Sequence, residues 1–347
     1  MTGTPPSFAE TPESSRGGID VLAEVLRAVR LTGSVFLNAR FTAPFGVISP
    51  RDFDETSPLA HLRHMSIFHL IADGSCTLEL SSGERRTVNA GDILLMPFAD
   101  DHKFWNGEVS KMLNGPELFR PGPVKGMWNI DHGGGGQQTR IVCGFVESSE
   151  FLFAPVFRSL PSLLIDRTDA DQVSALISST VMQIIALAEK ASPGSELMLG
   201  RLMEMLFVEM LRRYAQQLPP GTTGWFASLN DPIVGRAMQL VHADPSRRWT
   251  VDDLAREAAT SRTVLAERFS NVMGQAPMEY VTSWRMQLAA DRIRNGKDSI
   301  SAIAADVGYE SEASFNRAFK RVTGVTPGRW RDGNGASPAS GEAKVSG

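Results

Sequence analysis

One pattern occurs twice in the last third of this 347-residue chain, at an offset of 49 to 50 residues. Val251, Leu254, Ala255, Ser261, Leu265, Phe269, Gly274 and Pro277 of the first copy correspond to Ile300, Ile303, Ala304, Ser311, Phe315, Phe319, Gly324 and Pro327 of the second. Apolar residues three and four apart turn one helix face to a core. In the first copy Thr250 and Asp253 form a helix-starting box, and Ser261 can cap the next helix by accepting from its free N–H groups. In the second, Gly308 supplies the turn, where a left-handed residue swings the chain through about 90 to 120° into the next helix. Each copy is therefore predicted to be helix, short turn, helix. The joining segment 277–295 carries Tyr280, Trp284, Leu288, Ala289 and Ile293 as a helical stripe, closed by Gly296. At ~1.5 Å per residue this spacer spans ~28 Å, comparable with the ~34 Å turn of B-DNA.

A paired helix-turn-helix presents its second helix to the major groove, so that helix should expose hydrogen-bonding residues. In 262–269 the inward positions are Val264, Leu265 and Phe269. Arg262, Thr263, Ala266 and Glu267 remain as base-reading candidates. In 311–321 the inward positions are Phe315, Ala318 and Phe319, leaving Glu312, Ala313, Asn316 and Arg317 for bases. Arg317 and Asn316 can make the paired hydrogen bonds that identify guanine and adenine. Ser261, Arg268, Ser311, Lys320, Arg321, Arg329 and Arg331 are the phosphate candidates. The charge distribution agrees: residues 1–230 carry a formal charge of −6 and residues 231–331 carry +3.

These residues resemble the AraC/XylS family of bacterial transcription regulators over about 231–331. The resemblance rests on Ile300, Ile303, Ala304, Gly308, Tyr309 and Ser311, then Phe315, Arg317, Phe319, Lys320 and Arg321, then Gly324, Thr326, Pro327, Trp330 and Arg331. Glu267 departs from it, standing where the family often has a basic residue.

Ahead of the repeat, SVFLNARF, MSIFHLI, CTLEL and DILLMP within 32–150 read as short strands between turn residues. Between about 168 and 218 the period becomes helical. Val173, Leu176, Ile177, Val181, Ile184, Ile185 and Leu187 are followed by a break at Ser192-Pro193-Gly194. Leu199, Leu202, Met203, Leu206, Val208, Met210 and Leu211 come next, more apolar surface than one small helix usually covers. This hairpin either packs on the β domain or dimerises. The expected organisation is a disordered 1–18, a β domain at 19–166, the hairpin at 167–218 and a linker at 219–230. The repeat module at 231–331 and a disordered tail at 332–347 complete it.

Gly91, Pro97, Ala99, His102 and Asn106 are similar to the second motif of cupin barrels, with Ala99 in place of a usual glycine. The first cupin motif is degraded: His61 is in register, but Arg63 and Ile67 stand where a histidine and a glutamate ligand would be. Together with Gly133 to Gly136 and 139–144, this resembles the cupin-type sensor domain fused to AraC-like regulators, over about 20–165. Small barrels hold either side chains or one small ligand. His69 should share the inward face with Ile67, and His102 lies on the other motif strand. With Cys143 or His64 they would form a nitrogen and sulfur set suited to zinc. Cys143 could instead be a redox-sensitive thiol, and each of these residues could simply be a hydrogen-bonded core group.

The expected fold is multidomain α+β: a cupin-like barrel, a helical hairpin and an all-α double helix-turn-helix. The expected function is sequence-specific regulation of transcription, controlled by a small-molecule, redox or metal signal and not by enzymatic activity. Double-stranded DNA, a second copy of the chain, a small effector and RNA polymerase are the expected partners. The alternatives are a cupin metal enzyme with a DNA-binding attachment, or a constitutive DNA binder. Two cysteines and the absence of a basic start or long apolar run point to the reducing cytoplasm, with no membrane span.

Overall fold

The computed structural model describes residues 19–29, 31–51, 65–147, 155–167, 175–190 and 192–332. The expected disordered ends, Asp332 apart, lie outside the described residues, as do Val173 and His64. Helix α1 (Val21–Ala28) precedes β1 (Thr32–Thr42), β2 (Phe45–Ser49), β3 (Met65–Asp73), β4 (Ser75–Leu80), β5 (Arg85–Asn89) and β6 (Asp92–Met96). Then come β7 (His102–Asn106), β8 (Leu113–Asn114), β9 (Arg120–Pro121), β10 (Trp128–Gly133), β11 (Gln138–Glu147), helix α2 (Pro155–Arg158) and β12 (Leu164–Arg167). The strands form two sheets, ordered β12-β6-β3-β11-β1-β10-β9 and β5-β4-β7-β2-β8.

The seven-stranded sheet is covered on both faces. Phe68, Leu70, Ile93, Leu95, Val142 and Val146 join a core shared with helices. Ile67, Ile71, Leu94, Met96, Ile141 and Cys143 pack inward with Val47, Leu78 and Phe104 of the other sheet. Double coverage is why the MSIFHLI and DILLMP stretches are apolar runs and do not alternate strictly.

The outer cover is the hairpin of α3 (Ala175–Glu189) and α4 (Ser195–Gln217). Helix α4 lies against β1 at backbone contact. A Cβ on Gly33 would stand 2.4 Å from the Gly200 carbonyl oxygen, and one on Gly200 would stand 2.6 Å from that of Gly33. Leu199, Met203, Leu206, Phe207, Met210 and Leu211 are buried there. Each contributes about 1.5 to 3 kcal/mol by leaving water, so this stripe is core. Leu197, Met198 and Val208, with Leu176 and Met182 of α3, stay exposed.

The second half of the expected linker is instead helix α5 (Trp225–Asn230), which is a correction to the sequence reading. Trp225 and Phe226 are buried, Phe226 meets Tyr214 edge-on at 5.2 Å, and the Gly224 N–H donates to the Val272 carbonyl at 2.6 Å. The Pro-Pro-Gly composition reads as flexible, but two aromatic side chains with a core within reach order the segment.

The repeat module consists of α6 (Val234–Ala243), α7 (Val251–Glu257), α8 (Arg262–Met273), α9 (Pro277–Asn295), α10 (Ile300–Asp306), α11 (Glu312–Thr323) and α12 (Pro327–Arg331). The local signals act as expected: Thr250 and Asp253 form a reciprocal capping box, and Ser261 and Ser311 cap α8 and α11. The cores divide unevenly. Leu254, Leu265, Phe269, Tyr280 and Trp284 belong to the core that also holds α1 and the hairpin, whereas Ile293, Ile303, Phe315, Phe319 and Trp330 form a separate one. The first helix-turn-helix is thus welded to α1 and the hairpin, and the second reaches them through α9.

The turn of the first copy has Ala259 at φ +54°, where the second has Gly308 at +86°. An L-residue in this region costs roughly 1 to 2 kcal/mol. Ala259→Gly is therefore expected to stabilise the protein by up to about 1 kcal/mol, after the added freedom of the unfolded chain is deducted. Thermal unfolding of the two proteins measures this, and an unchanged or lower midpoint would refute it.

Candidate functional site

On α8, Arg262, Thr263 and Glu267 are exposed and Ala266 is half-buried. Val264 was expected inward but is 42% exposed, because Leu265 and Phe269 alone reach the core from that face. Both basic residues of this helix have acidic partners. Arg268 Nε donates to Asp231 Oδ2 at 2.7 Å, and Asp231 in turn caps α6 by accepting from the Ile233 and Val234 N–H groups. Arg262 stands 3.4 Å from Asp252. Arg268 is therefore held as a strut across the module.

The second copy differs. Glu312, Ala313, Arg317, Lys320 and Arg321 of α11 and Arg329 of α12 are exposed. Among the described residues, Arg317, Lys320, Arg321 and Arg329 have no ion-pair partner, so four cations face solvent around one helix. Arg331 donates to the Asp298 carbonyl at 2.7 Å. Asn316 is half-buried, with Oδ1 enclosed and without a hydrogen-bond partner. Whichever way its amide is turned, one of the two polar atoms points inward. The paired adenine contact expected of Asn316 does not fit this placement. Ser261 and Ser311 cap their helices by accepting from Val264 and Ser314 N–H groups at 3.2 and 3.3 Å.

The two copies meet at Arg285 of α9, a residue that the sequence does not distinguish from its solvated neighbours. Its Nε donates to the Pro245 carbonyl at 2.7 Å, one terminal nitrogen to Arg247 O at 2.7 Å and the other to Gly308 O at 3.4 Å. Pro245 and Arg247 lie in the connection before α7, and Gly308 is the turn of the second copy. One side chain thus ties both copies to the helix between them. Arg248 and Glu310 pair across the same joint at 2.7 Å.

In the β domain, the sheets bring His69, His102 and Cys143 together at one side of an apolar cavity. Cys143 Sγ is 3.0 Å from His69 Nδ1, His69 Nε2 is 2.8 Å from His102 Nε2, and His102 Nδ1 is 2.7 Å from the Asp100 carbonyl. The carbonyl can only accept, so His102 Nδ1 carries a proton. Burial drives the His102 pKa down to about 4, opposed by the Asp100 carbonyl and Asp101, so the ring is neutral and its Nε2 accepts. His69 Nε2 must then donate. Burial, followed by the neighbouring His102, also holds His69 well below the ordinary imidazole range, so its Nδ1 accepts from the Cys143 thiol. Burial pushes that thiol pKa up and keeps it protonated. The chain of donors runs one way, from Cys143 to Asp100.

This geometry does not suit the expected zinc set. His69 turns one ring nitrogen to sulfur and the other to His102, and a single ion cannot be bound by both nitrogens of one ring. A zinc-bound cysteine would also have to be a thiolate. Among the described residues no group of three or more His, Cys, Asp or Glu is placed to hold a metal.

Because these histidines are neutral when folded and protonate near 6.5 when unfolded, acid favours the unfolded chain. His242, packed on Trp284 at 4.0 Å, adds to this, with burial lowering its pKa to about 3. Stability is expected to be level above about pH 7 and to fall from pH 6.5 towards 4, by roughly 3 kcal/mol for His102 alone. Urea unfolding across this range tests it. A flat profile between pH 6.5 and 4.5 would refute the assigned neutral states.

The opposite face of the cavity wall meets the hairpin. Arg140 of β11 donates to Asn38 of β1 at 3.0 Å, to Glu189 at 2.7 Å and to the Ile185 carbonyl at 3.4 Å, while Asn38 donates to the Ala188 carbonyl at 3.4 Å. These partners lie at the C-terminal end of α3, where free carbonyls attract a cation.

A family model described as Cupin matches residues 20–216, and one described as a helix-turn-helix domain matches residues 254–333. The chain belongs to the cupin family and carries a helix-turn-helix domain. A protein of Streptomyces lividans named as an AraC-like transcription regulator is 45% identical over 138 residues, which is 40% of this chain and 45% of that relative. The chain thus matches somewhat under half the length of that relative. The HTH-type transcriptional regulator AlkR of Acinetobacter baylyi is 28% identical over 273 residues, covering 76% of this chain and 87% of that protein. The crystal structure of ToxT from Vibrio cholerae aligns over 88% of this chain and 98% of its own, at 13% identity and a TM-score of 0.35. No helix among the described residues is long and apolar enough to cross a membrane.

Proposed function

We propose that the protein is a sequence-specific DNA-binding transcription regulator whose β domain senses a small molecule. The observation that carries this reading is the duplicated helix-turn-helix, with exposed polar faces on both second helices and, around α11, four cations without an ion-pair partner among the described residues. Relatives named as regulators support it over an enzyme. In this reading Arg317, Glu312 and Ala313 of α11 and Arg262, Thr263, Ala266 and Glu267 of α8 face bases, while Lys320, Arg321 and Arg329 neutralise phosphates. The protein acts in the cytoplasm as a homodimer joined through the exposed residues of α3 and α4, with RNA polymerase as a further partner. Ligand in the barrel shifts β1 and β11, and Asn38 and Arg140 pass the shift to α3.

Selection of fragments from random double-stranded DNA by the full-length protein tests the reading. Enriched half-sites separated by whole helical turns are expected, whereas salt-sensitive binding without enrichment would refute it. Arg317→Ala is expected to relax preference at one base position at a cost of about 1 to 3 kcal/mol, while Lys320→Ala weakens all sequences alike. Equal losses on all sequences from both substitutions would remove Arg317 from the base-reading set.

A further inference from the structure

The cavity between the sheets has a composition that restricts what can enter it. Its walls include the aromatic rings of Phe36, Phe41, Phe104 and Phe119, with aliphatic side chains between them. The polar side chains that line it are Ser49, His69 and Cys143, and no charged side chain among the described residues reaches it. Of these, His69 and Cys143 offer a ligand little. Both nitrogens of His69 are occupied by hydrogen bonds, and the thiol proton of Cys143 is directed at His69. What remains at the polar end is a soft sulfur and the half-buried Ser49 hydroxyl.

We infer that this cavity receives an uncharged, mainly apolar molecule of single-ring size and discriminates against carboxylates and amines of the same shape. The inference rests on the reading of the β domain as a sensor and names the class of molecule sensed. An ionised group taken from water into such a site without a partner costs several kcal/mol at least. An apolar ring loses nothing by the transfer and gains contact with four aromatic walls. One neutral hydroxyl can be accommodated, by Ser49 or by the sulfur. The room free in the structure is about 40 Å³, enough for a few water-sized groups. A ring therefore enters by displacing the turn at Gly115, Pro116 and Phe119, which closes one side of the cavity. That turn contacts β2, β8 and β10, with Leu118 and Phe119 packed on the core between the sheets, and it lies away from the hairpin contact, so its displacement leaves the core shared with the helices in place.

Three probes of one skeleton test this: benzyl alcohol, benzoate and benzylammonium, titrated calorimetrically into the full-length protein at pH 7.5. Benzyl alcohol is expected to bind at least tenfold more tightly than either ion. Ala39→Phe, which places a ring into the cavity from β1, is expected to abolish that binding while the protein still unfolds cooperatively and still binds DNA. If benzoate or benzylammonium binds as tightly as the alcohol, and Ala39→Phe blocks it, the neutral class is wrong but the cavity remains the receptor. If no probe binds, or Ala39→Phe leaves binding unchanged, the cavity is not the receptor and the inference fails with it. Selection of DNA sequences by the unliganded protein would be unaffected by any of these results, which keeps the DNA-binding reading separate.

Discussion

Arg285→Met should reduce affinity for a DNA site that engages both helix-turn-helix copies by about 30-fold, while a site that engages one copy is bound almost as before. Methionine keeps much of the apolar stem of arginine but none of its donors. The Pro245, Arg247 and Gly308 carbonyls then lose the guanidinium. A buried acceptor left without its partner costs about 1 to 3 kcal/mol. At these part-buried positions two such losses total roughly 2 kcal/mol, a factor of about 30 in an equilibrium constant. Lysine should rescue little, because one ammonium cannot reproduce a planar fork that reaches three carbonyls. The distinguishing measurement is the spacing, in sequences selected from random DNA, between the two parts of one site that the two copies read. The parent should prefer one spacing and the variant should accept several. A variant that keeps the single spacing while losing affinity would show that Arg285 serves only stability.

Gly308→Ala should be still more damaging to the module. At φ +86° an alanine already pays roughly 1 to 2 kcal/mol. Its Cβ would also stand 2.4 Å from the Ser246 carbonyl oxygen and 3.0 Å from a terminal nitrogen of Arg285. The Ser246 backbone or the turn itself must move, and overpacking of this kind adds about 1 to 3 kcal/mol. A total near 3 kcal/mol is expected in urea unfolding, together with loss of binding to sites that engage both copies. The equivalent turn of the first copy carries Ala259 at φ +54°, so the left-handed conformation alone is tolerable there. If Gly308→Ala costs no more than about 1 kcal/mol, the joint is softer than the contacts imply.

Both results concern a junction that is absent from the repeat itself. The repeat shows that two copies exist. Where they touch depends on how α9 leads the chain from one to the other, and helical periodicity does not mark Arg285, among the arginines of α9, as the residue at the joint. The same limit explains Arg268 and Asn316. Helical periodicity places each on an outward or flanking face. Only the packed module reveals that Asp231, 37 residues away in the chain, takes one of them, and that neighbouring side chains enclose part of the other. Helix α5 is not legible from composition because its aromatics are ordered by a core that α4 and α8 supply.

By contrast, the elements whose signals are local are fully legible. Thr250 with Asp253 and the serines at 261 and 311 satisfy N–H groups within one helical turn, so residue type and spacing are enough to place those helix starts. The spacing of Leu265 with Phe269 and of Phe315 with Phe319 sets which helix face is buried, whatever it is buried against. His69, His102 and Cys143 mark the boundary between the two kinds of information. Strand alternation turns them inward, and that much is local. Sheet register alone sets the distances between them, which makes the trio a directed chain of hydrogen bonds and not a metal site. Local hydrogen bonding and periodicity determined the helices, the strand faces and the duplicated module. Long-range packing decided the joint between the copies, the partners of the charged side chains and the chemistry of the cavity, because those depend on distances between residues far apart in the chain.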